Sequence, residues 1–145
     1  MDRVIADKKP SVCNCLNLRR ASQAITEVYD ERLAPGGLKL SQYSLLKHIR
    51  EMQPVNVSDL AVKMRLDRTT LVRNLKPLEG KGFITDDAAA GTRKRQLRLT
   101  EAGAQTLDAA TRLWEETQGY IEQYLGKKDL NTLTALLFKI EALRP

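Results

Sequence analysis

Residues 66–75 read LDRTTLVRNL, and this stretch decides the fold. Asp67 suits a helix N-cap, because its carboxylate can accept the free N–H groups of the first turn. Leu71, Leu75 and the following Leu78 recur at helical spacing and form one apolar stripe. The opposite face presents cationic and hydrogen-bonding side chains: Arg68, Thr69, Thr70, Arg73, Asn74 and Lys76. The stretch therefore predicts a helix with a buried leucine back and a basic front.

Another short helix is predicted just upstream. Leu60, Ala61 and Met64 fit about two helical turns, with Ser58 as the expected N-cap after a very short strand at residues 55–57. Two short helices joined by a tight turn form the unit that places its second helix in the major groove of DNA. There Arg can bond guanine, Asn can bond adenine, and a Thr methyl can touch a thymine methyl. The basic front is therefore predicted to read bases.

A hairpin is predicted after Gly82. Residues 83–85 form one expected strand, and Leu97 and Leu99 alternate with polar residues in the other. A tip of small residues at 88–92 separates the two strands and is followed by a cationic run. The minor groove of DNA is narrow and strongly negative, so it attracts such cations. The hairpin is predicted to be a β-wing, with DNA contacts from Arg93, Lys94 and Arg95.

Amphipathic helices are predicted on both sides of this unit. The first covers about residues 12–33 and ends at Pro35-Gly36-Gly37. The second begins near Ser41, its expected N-cap, and ends before Pro54. The fifth runs from a Thr100 cap to Gly126, and the last covers about residues 128–143. We therefore expect a mainly α fold class with a small β-wing. The predicted architecture is a winged helix-turn-helix with long N- and C-terminal helices.

The positive charge is concentrated in one segment. The chain has 24 Lys and Arg against 18 Asp and Glu, a net charge of +6. Residues 63–98 contain 10 basic and 4 acidic side chains, which equals the whole excess. A surface with this charge suits the phosphate backbone of nucleic acid, so double-stranded DNA is the expected partner. A solvated basic face remains the alternative.

Other classes of protein fit the sequence less well. No run of 18 apolar residues or secretory signal is present, so we expect no membrane partner and a cytoplasmic location. Cys13-Asn14-Cys15 is a weak zinc pattern, and no metal or cofactor is expected. With one histidine, no Gly-rich phosphate loop and no nucleophile motif, the chain is not expected to be an enzyme. An architectural DNA protein and a protein-interaction module remain rival classes.

The sequence resembles the MarR (multiple antibiotic resistance regulator) family over about residues 17–143. The resemblance is sharpest in residues 66–75, in LEGKGFI at 78–84 and in LTEAG at 99–103. It implies a transcription regulator, expected to be a repressor, that binds a pseudo-palindromic operator as a homodimer. On this interpretation residues 1–145 form a single domain. Residues 11–34 and 101–145 are its dimerisation helices, and residues 41–100 are its DNA-binding lobe.

Three positions depart from the family pattern. The family usually has Asp two residues before the wing arginine, where this chain has Gly91, so Arg93 lacks that partner. The turn before the recognition helix usually has Gly, and Arg65 there costs about 1 kcal/mol if the position needs a positive φ. Pro77 lies inside the recognition helix, where it removes a bond to the Arg73 carbonyl and is expected to bend the helix.

The resemblance also implies a released state, since family members often leave DNA when they sense a small aromatic anion, a metal or an oxidant. One hypothesis makes Cys13 or Cys15 an oxidant sensor, with Tyr29 fourteen residues further along the same helix. The alternative is a small-molecule effector bound between the dimerisation helices and the DNA-binding lobe. Its candidate contacts are Tyr43, His48 and Trp114. An ordinary structural role remains open for all six residues.

Overall fold

The computed structural model describes residues 8–87 and 95–144. Its helices are α1 (Asn14–Leu33), α2 (Leu40–Met52), α3 (Val57–Met64), α4 (Arg68–Gly80), α5 (Glu101–Leu125) and α6 (Lys127–Glu141), and its strands are β1 (Ile84–Asp86) and β2 (Leu97–Leu99). A short 3-10 turn (Ala34–Gly36) follows α1. The predicted fold class, mainly α with a small β-wing, is confirmed.

Several predicted helix boundaries are confirmed. Asp67 caps α4, accepting the Thr70 N–H at 2.7 Å, and Thr100 caps α5, accepting the Gly103 N–H at 3.0 Å. Gly126 ends α5 with a φ of 84°, a conformation that glycine adopts without strain. These boundaries could be predicted from local sequence, because each of these residues satisfies backbone groups or ends the helix within a few residues.

Two predicted caps were wrong. Helix α2 begins at Leu40, one residue from the predicted start, but its N-cap is Lys39 rather than Ser41. Asp30 of α1 accepts the Leu40 N–H at 2.8 Å. Helix α3 begins at Val57, with Asn56 rather than Ser58 as its N-cap. The Asn56 side chain accepts the Asp59 N–H at 2.8 Å, so the first turn is capped from two residues before the predicted position.

The wing is a two-stranded antiparallel sheet. Its register pairs Ile84 with Leu99 and Asp86 with Leu97. The short strand predicted at residues 55–57 is reduced to a single bridge, in which Val55 exchanges two backbone hydrogen bonds with Leu97. The bridge is limited to one residue because α3 already begins at Val57.

One core connects the helix-turn-helix to the long helices. It contains the C-terminal end of α1, one face of α2, the back of α4 and the first half of α5, and its fully buried members include Leu33, Leu46, Ile49, Leu60, Leu71, Leu75, Leu78, Leu97 and Leu107. Helix α6 contributes no buried residue. Among the described residues, no helix is long and apolar enough to cross a membrane.

Two of the three departures from the family pattern lie in described residues. Arg65 has a φ of 55° and a ψ of 41°, so the left-handed conformation that glycine usually supplies is adopted by an arginine. Pro77 lies inside α4, and the helix nevertheless continues to Gly80. The third, Gly91, lies outside the described residues together with Arg93.

Candidate nucleic-acid interface

Helix α4 has the two faces that the sequence predicted. Leu71, Leu75 and Leu78 are fully buried against the core. Arg68, Thr69, Arg73 and Lys76 are exposed, whereas Thr70 and Asn74 are partly buried. The first four surround a shallow depression of about 330 Å³ together with Val72. The recognition helix therefore presents its cations on one continuous surface.

The start of α4 is fixed by its cap. Asp67 accepts both the N–H and the hydroxyl of Thr70, each at 2.7 Å. These two hydrogen bonds, with a smaller contribution from the positive charge of Arg73, lower the pKa of Asp67. The Thr70 hydroxyl hydrogen is therefore used in the cap. The exposed Thr69 is the threonine whose hydroxyl is more available to a partner.

Ser58 is a residue of this surface that the sequence reasoning assigned to another role. Its hydroxyl accepts a hydrogen bond from Arg68 Nη1 at 2.8 Å, which joins α3 to the start of α4. The contact was missed because Ser58 was expected to cap its own helix. Arg68, Arg73 and Lys76 form no ion pair with any residue in 8–87 or 95–144, so their charges stay available to an anionic partner.

Other cations of the basic segment are already paired. Arg65 bonds Glu141 at the end of α6, and Arg98 bonds Asp87 at 2.8 Å. Arg95 contacts Glu79 at the end of α4 and Asp86 in β1. Of the eight of these basic side chains that the structure describes, three are therefore paired within the chain.

The two remaining wing cations predicted to contact DNA, Arg93 and Lys94, lie outside the described residues. Their role stays a prediction from the sequence. Of the three predicted wing contacts, Arg95 lies among the described residues, and its guanidinium faces carboxylates of its own chain.

The aromatic candidates for effector binding are only partly brought together. The Tyr43 and Trp114 rings stack with centroids 5.6 Å apart, and Lys47 Nζ lies 4.4 Å from the Trp114 ring centroid. The Tyr43 hydroxyl is buried and has no hydrogen-bond partner among the described residues. His48 Nδ1 lies 2.7 Å from the Ser44 carbonyl of its own helix. Lys47 is an addition to the predicted set.

The cysteine candidates lie apart from Tyr29. Cys13 caps α1, its Sγ accepting the Leu16 N–H at 3.5 Å, and both Cys13 and Cys15 are exposed free thiols. Tyr29 is buried near the other end of α1, where its hydroxyl bonds Gln118 of α5 and burial raises its pKa. Fourteen residues of helix separate Cys15 from Tyr29, about 21 Å, so the two do not form one site.

The long helices leave a large apolar surface uncovered. Leu16 and Ile25 of α1, Tyr120 and Tyr124 of α5, and five residues of α6 (Leu133, Leu136, Leu137, Phe138 and Ile140) are exposed. A groove of about 460 Å³ runs between the three helices, lined by Ile25, Tyr124 and Leu133 among others. Monomeric soluble proteins rarely expose contiguous apolar patches of this kind.

Comparison with known proteins gives consistent matches. Residues 38–86 match the model of the MarR family. The transcriptional regulator MosR of M. tuberculosis, solved in complex with DNA, is 31% identical, with 92% of this chain and 99% of that chain covered and a TM-score of 0.76. The transcriptional repressor CouR, solved with p-coumaroyl-CoA, is 25% identical, with 89% and 91% covered and a TM-score of 0.80. An E. coli MarR variant complexed with operator DNA shares the fold at 22% identity, with 85% and 89% covered and a TM-score of 0.75.

Proposed function

Because this chain belongs to the MarR family of DNA-binding transcription regulators, we propose that it is a cytoplasmic homodimer that represses transcription from a pseudo-palindromic operator until a small molecule or an oxidant releases it. The observation that carries this proposal is the exposed front of α4. Arg68, Arg73 and Lys76 project from a helix that three buried leucines hold in place. A duplex can dock on such a surface without breaking any ion pair made by these three cations among the described residues.

Each side chain of this front suits a particular contact. Arg73 is exposed in the second turn of α4 and can hold guanine O6 and N7 with two hydrogen bonds. Asn74 can bond an adenine edge, and the methyl groups of Thr69 and Thr70 can touch thymine. Arg68 at the helix start and Lys76 near its end would bind phosphates on either side of the groove.

The homodimer is supported by the uncovered apolar faces of α1, α5 and α6. The N-terminal part of α1 and the C-terminal part of α5 leave apolar side chains exposed, and α6 buries none of its residues within one chain. A second copy that covers this surface would place two recognition helices on one side of the dimer. A two-fold dimer of this type binds two half-sites about one helical turn apart, which is why a pseudo-palindromic operator is proposed.

Selection of bound duplexes from genomic DNA with purified protein tests the proposal, and Arg73→Ala makes it specific. If Arg73 reads a guanine, the variant loses about 1–3 kcal/mol of operator affinity and the base preference relaxes at one position of each half-site. Fluorescence anisotropy with the selected duplex and its single-base variants measures both effects.

Arg112→Ala is the matched control, since it removes an exposed arginine from α5, outside the proposed interface. It should leave operator affinity unchanged. Equal loss of affinity by Arg73→Ala on selected and random duplexes would contradict base reading by Arg73. A wild-type chain that prefers no duplex over random DNA would instead favour an architectural DNA protein.

Two release signals are supported by different observations. Cys13 and Cys15 are exposed thiols at a helix start, where oxidation of Cys13 would alter the sulfur that accepts the Leu16 N–H. The Tyr43–Trp114 stack, with Lys47 above it, would suit an aromatic anion, and CouR was solved with an aromatic acyl-CoA. Operator affinity of the wild type and of Cys13→Ser/Cys15→Ser, with and without peroxide, tests the first signal. Identical curves would remove it, and titration with aromatic acids then tests the second.

A further inference from the structure

Arg95 joins three segments of the DNA-binding lobe. Its Nη2 donates to Glu79 Oε1 in the last turn of α4, and its Nε donates to Asp86 Oδ2 in β1 at 3.2 Å. Asp86 Oδ1 also accepts the Gln96 N–H at 2.9 Å, which ties the same carboxylate to the segment that enters β2. The recognition helix, the outgoing strand and the returning strand of the wing therefore meet at one guanidinium.

This cluster is more enclosed than an ordinary surface ion pair. The side chains of Arg95, Glu79 and Asp86 are 33%, 35% and 34% exposed, so each is about two-thirds buried. Burial is the largest influence on the pKa of Arg95 and lowers it, but the hydrogen bonds and charges of Glu79 and Asp86 outweigh it and the pKa is raised. Arginine suits such a position because its planar fork can bond two carboxylates at once.

A phosphate contact by Arg95 would disrupt the cluster. Turning the guanidinium toward DNA would withdraw it from two carboxylates that lie near each other, and these would then face the phosphates as well. Arg68, Arg73 and Lys76 face no such cost, because they form no ion pair within the described parts of the chain. Among the described cations, Arg95 is thus the least suited to exchange its partners for DNA.

We infer that Arg95 is a positioning residue, which fixes the wing against the C-terminal end of the recognition helix through Glu79 and Asp86 and makes no phosphate contact of its own. This inference rests on the proposed DNA-binding mode and replaces the direct contact expected for Arg95 from the sequence. It makes Glu79, an acidic residue beside the DNA-binding surface, a residue that promotes operator binding.

The sign of the Glu79→Gln effect separates the two roles. Removing a negative charge near DNA normally strengthens binding, and a freed Arg95 would strengthen it further. If Arg95 positions the wing, Glu79→Gln instead weakens operator binding, by about fivefold or more. The measurement is anisotropy with the highest-affinity duplex selected from genomic DNA, at four salt concentrations. Glu31→Gln, the same change at an exposed site on α1, is the control and should have little effect.

Arg95→Lys and Arg95→Gln complete the test. For a positioning residue, both weaken binding and both keep the wild-type slope of log K against log salt, because no phosphate contact is lost. The double variant Glu79→Gln/Arg95→Gln then binds the operator no more weakly than the weaker-binding of the two single variants. For a phosphate contact, Lys retains the affinity, and Gln reduces the magnitude of the slope by about 0.9.

The failures can be told apart. Tighter binding by Glu79→Gln, or a reduced slope for Arg95→Gln, overturns the inference while the wild type still selects its operator. A wild-type chain that selects no duplex overturns the proposed function and the inference with it. Circular dichroism of each variant ensures that folded protein is compared, and Arg95→Lys, which keeps the charge, provides the result if Glu79→Gln does not fold.

Discussion

At the scale of single residues, the most unusual position is Arg65. It ends α3 in the left-handed conformation, which costs an L-residue with a side chain about 1 kcal/mol relative to glycine. Its ion pair with Glu141 joins two exposed side chains, and exposed pairs of this kind contribute about 0–1 kcal/mol. Arg65→Gly is therefore expected to raise the free energy of unfolding by up to about 1 kcal/mol, as measured by urea denaturation.

Glu141→Gln serves as the control for Arg65→Gly. It removes the ion pair but leaves the backbone of Arg65 unchanged, so it should lower stability slightly or not at all. A loss of more than about 1 kcal/mol in Arg65→Gly would mean that the arginine side chain contributes more than its strain costs. In that case Glu141→Gln should show a loss of similar size.

At the scale of secondary-structure elements, the joint between the wing and α5 depends on Gly103. A Cβ at this position would lie 2.1 Å from the Phe83 carbonyl oxygen, which is backbone and cannot rotate away. Gly103→Ala is therefore expected to separate the start of α5 from the first residues of the wing. The expected loss is about 2–3 kcal/mol of unfolding free energy, at the upper end for overpacked sites, together with weaker operator binding.

Gly80→Ala is the matched substitution for Gly103→Ala. Gly80 is also helical, and a Cβ there would meet nothing within 4 Å. The change should leave stability unaltered or raise it by up to about 1 kcal/mol, since alanine is the better helix former. If Gly103→Ala were equally harmless, the close approach of α5 to Phe83 would not be needed for the fold.

Most elements defined by local signals were predictable, although the local cap Asn56 was missed, and contacts between distant residues were not predictable. The leucine stripe of α4 and the caps Asp67 and Thr100 need only neighbouring residues, and all were predicted. The first N–H of α2, that of Leu40, is accepted by Asp30, ten residues earlier and on another helix. The N-cap is Lys39, so the predicted Ser41 was wrong. Local motifs carry their own hydrogen-bond partners, whereas a long-range cap requires the tertiary fold.

The same distinction limits what the sequence says about the candidate site. The front of α4 followed from helical periodicity, so Arg68, Arg73 and Lys76 could be placed on one surface. The pairing of Arg95 with Glu79, sixteen residues away, could not be read from a count of charges. A basic segment predicts which lobe binds DNA, but it does not show which of its cations are free of ion pairs within the chain.

At the scale of the whole molecule, the basic front of α4 and the exposed apolar surface are separated. Arg68, Arg73 and Lys76 lie on α4, and the exposed apolar side chains lie mostly on α1, α5 and α6. The first surface can bind a polyanion in water. The second surface is stabilised only when another apolar surface covers it. Under the proposed function, one chain would supply one half-site contact and one self-association surface, as a two-fold dimer on a pseudo-palindrome requires.

Leu137→Asp tests this arrangement. Leu137 is 44% exposed in the single chain, so a charge there should scarcely affect the folding of one chain. If a second copy covers α6, the buried carboxylate should weaken dimerisation by about 2 kcal/mol or more, roughly thirtyfold, as measured by sedimentation equilibrium. Operator binding should weaken with it, because two linked half-site contacts become independent.

Val62→Asp is the control for Leu137→Asp, since Val62 is a still more exposed apolar residue, at 79%, and lies on α3 in the DNA-binding lobe. It should leave the dimer intact, whatever it does to the approach of DNA. A Leu137→Asp variant that sediments as a wild-type dimer would place the self-association surface elsewhere. Equal dissociation by both variants would point to a general effect of added negative charge, because Val62 belongs to α3 and not to the three helices that the dimer is proposed to use.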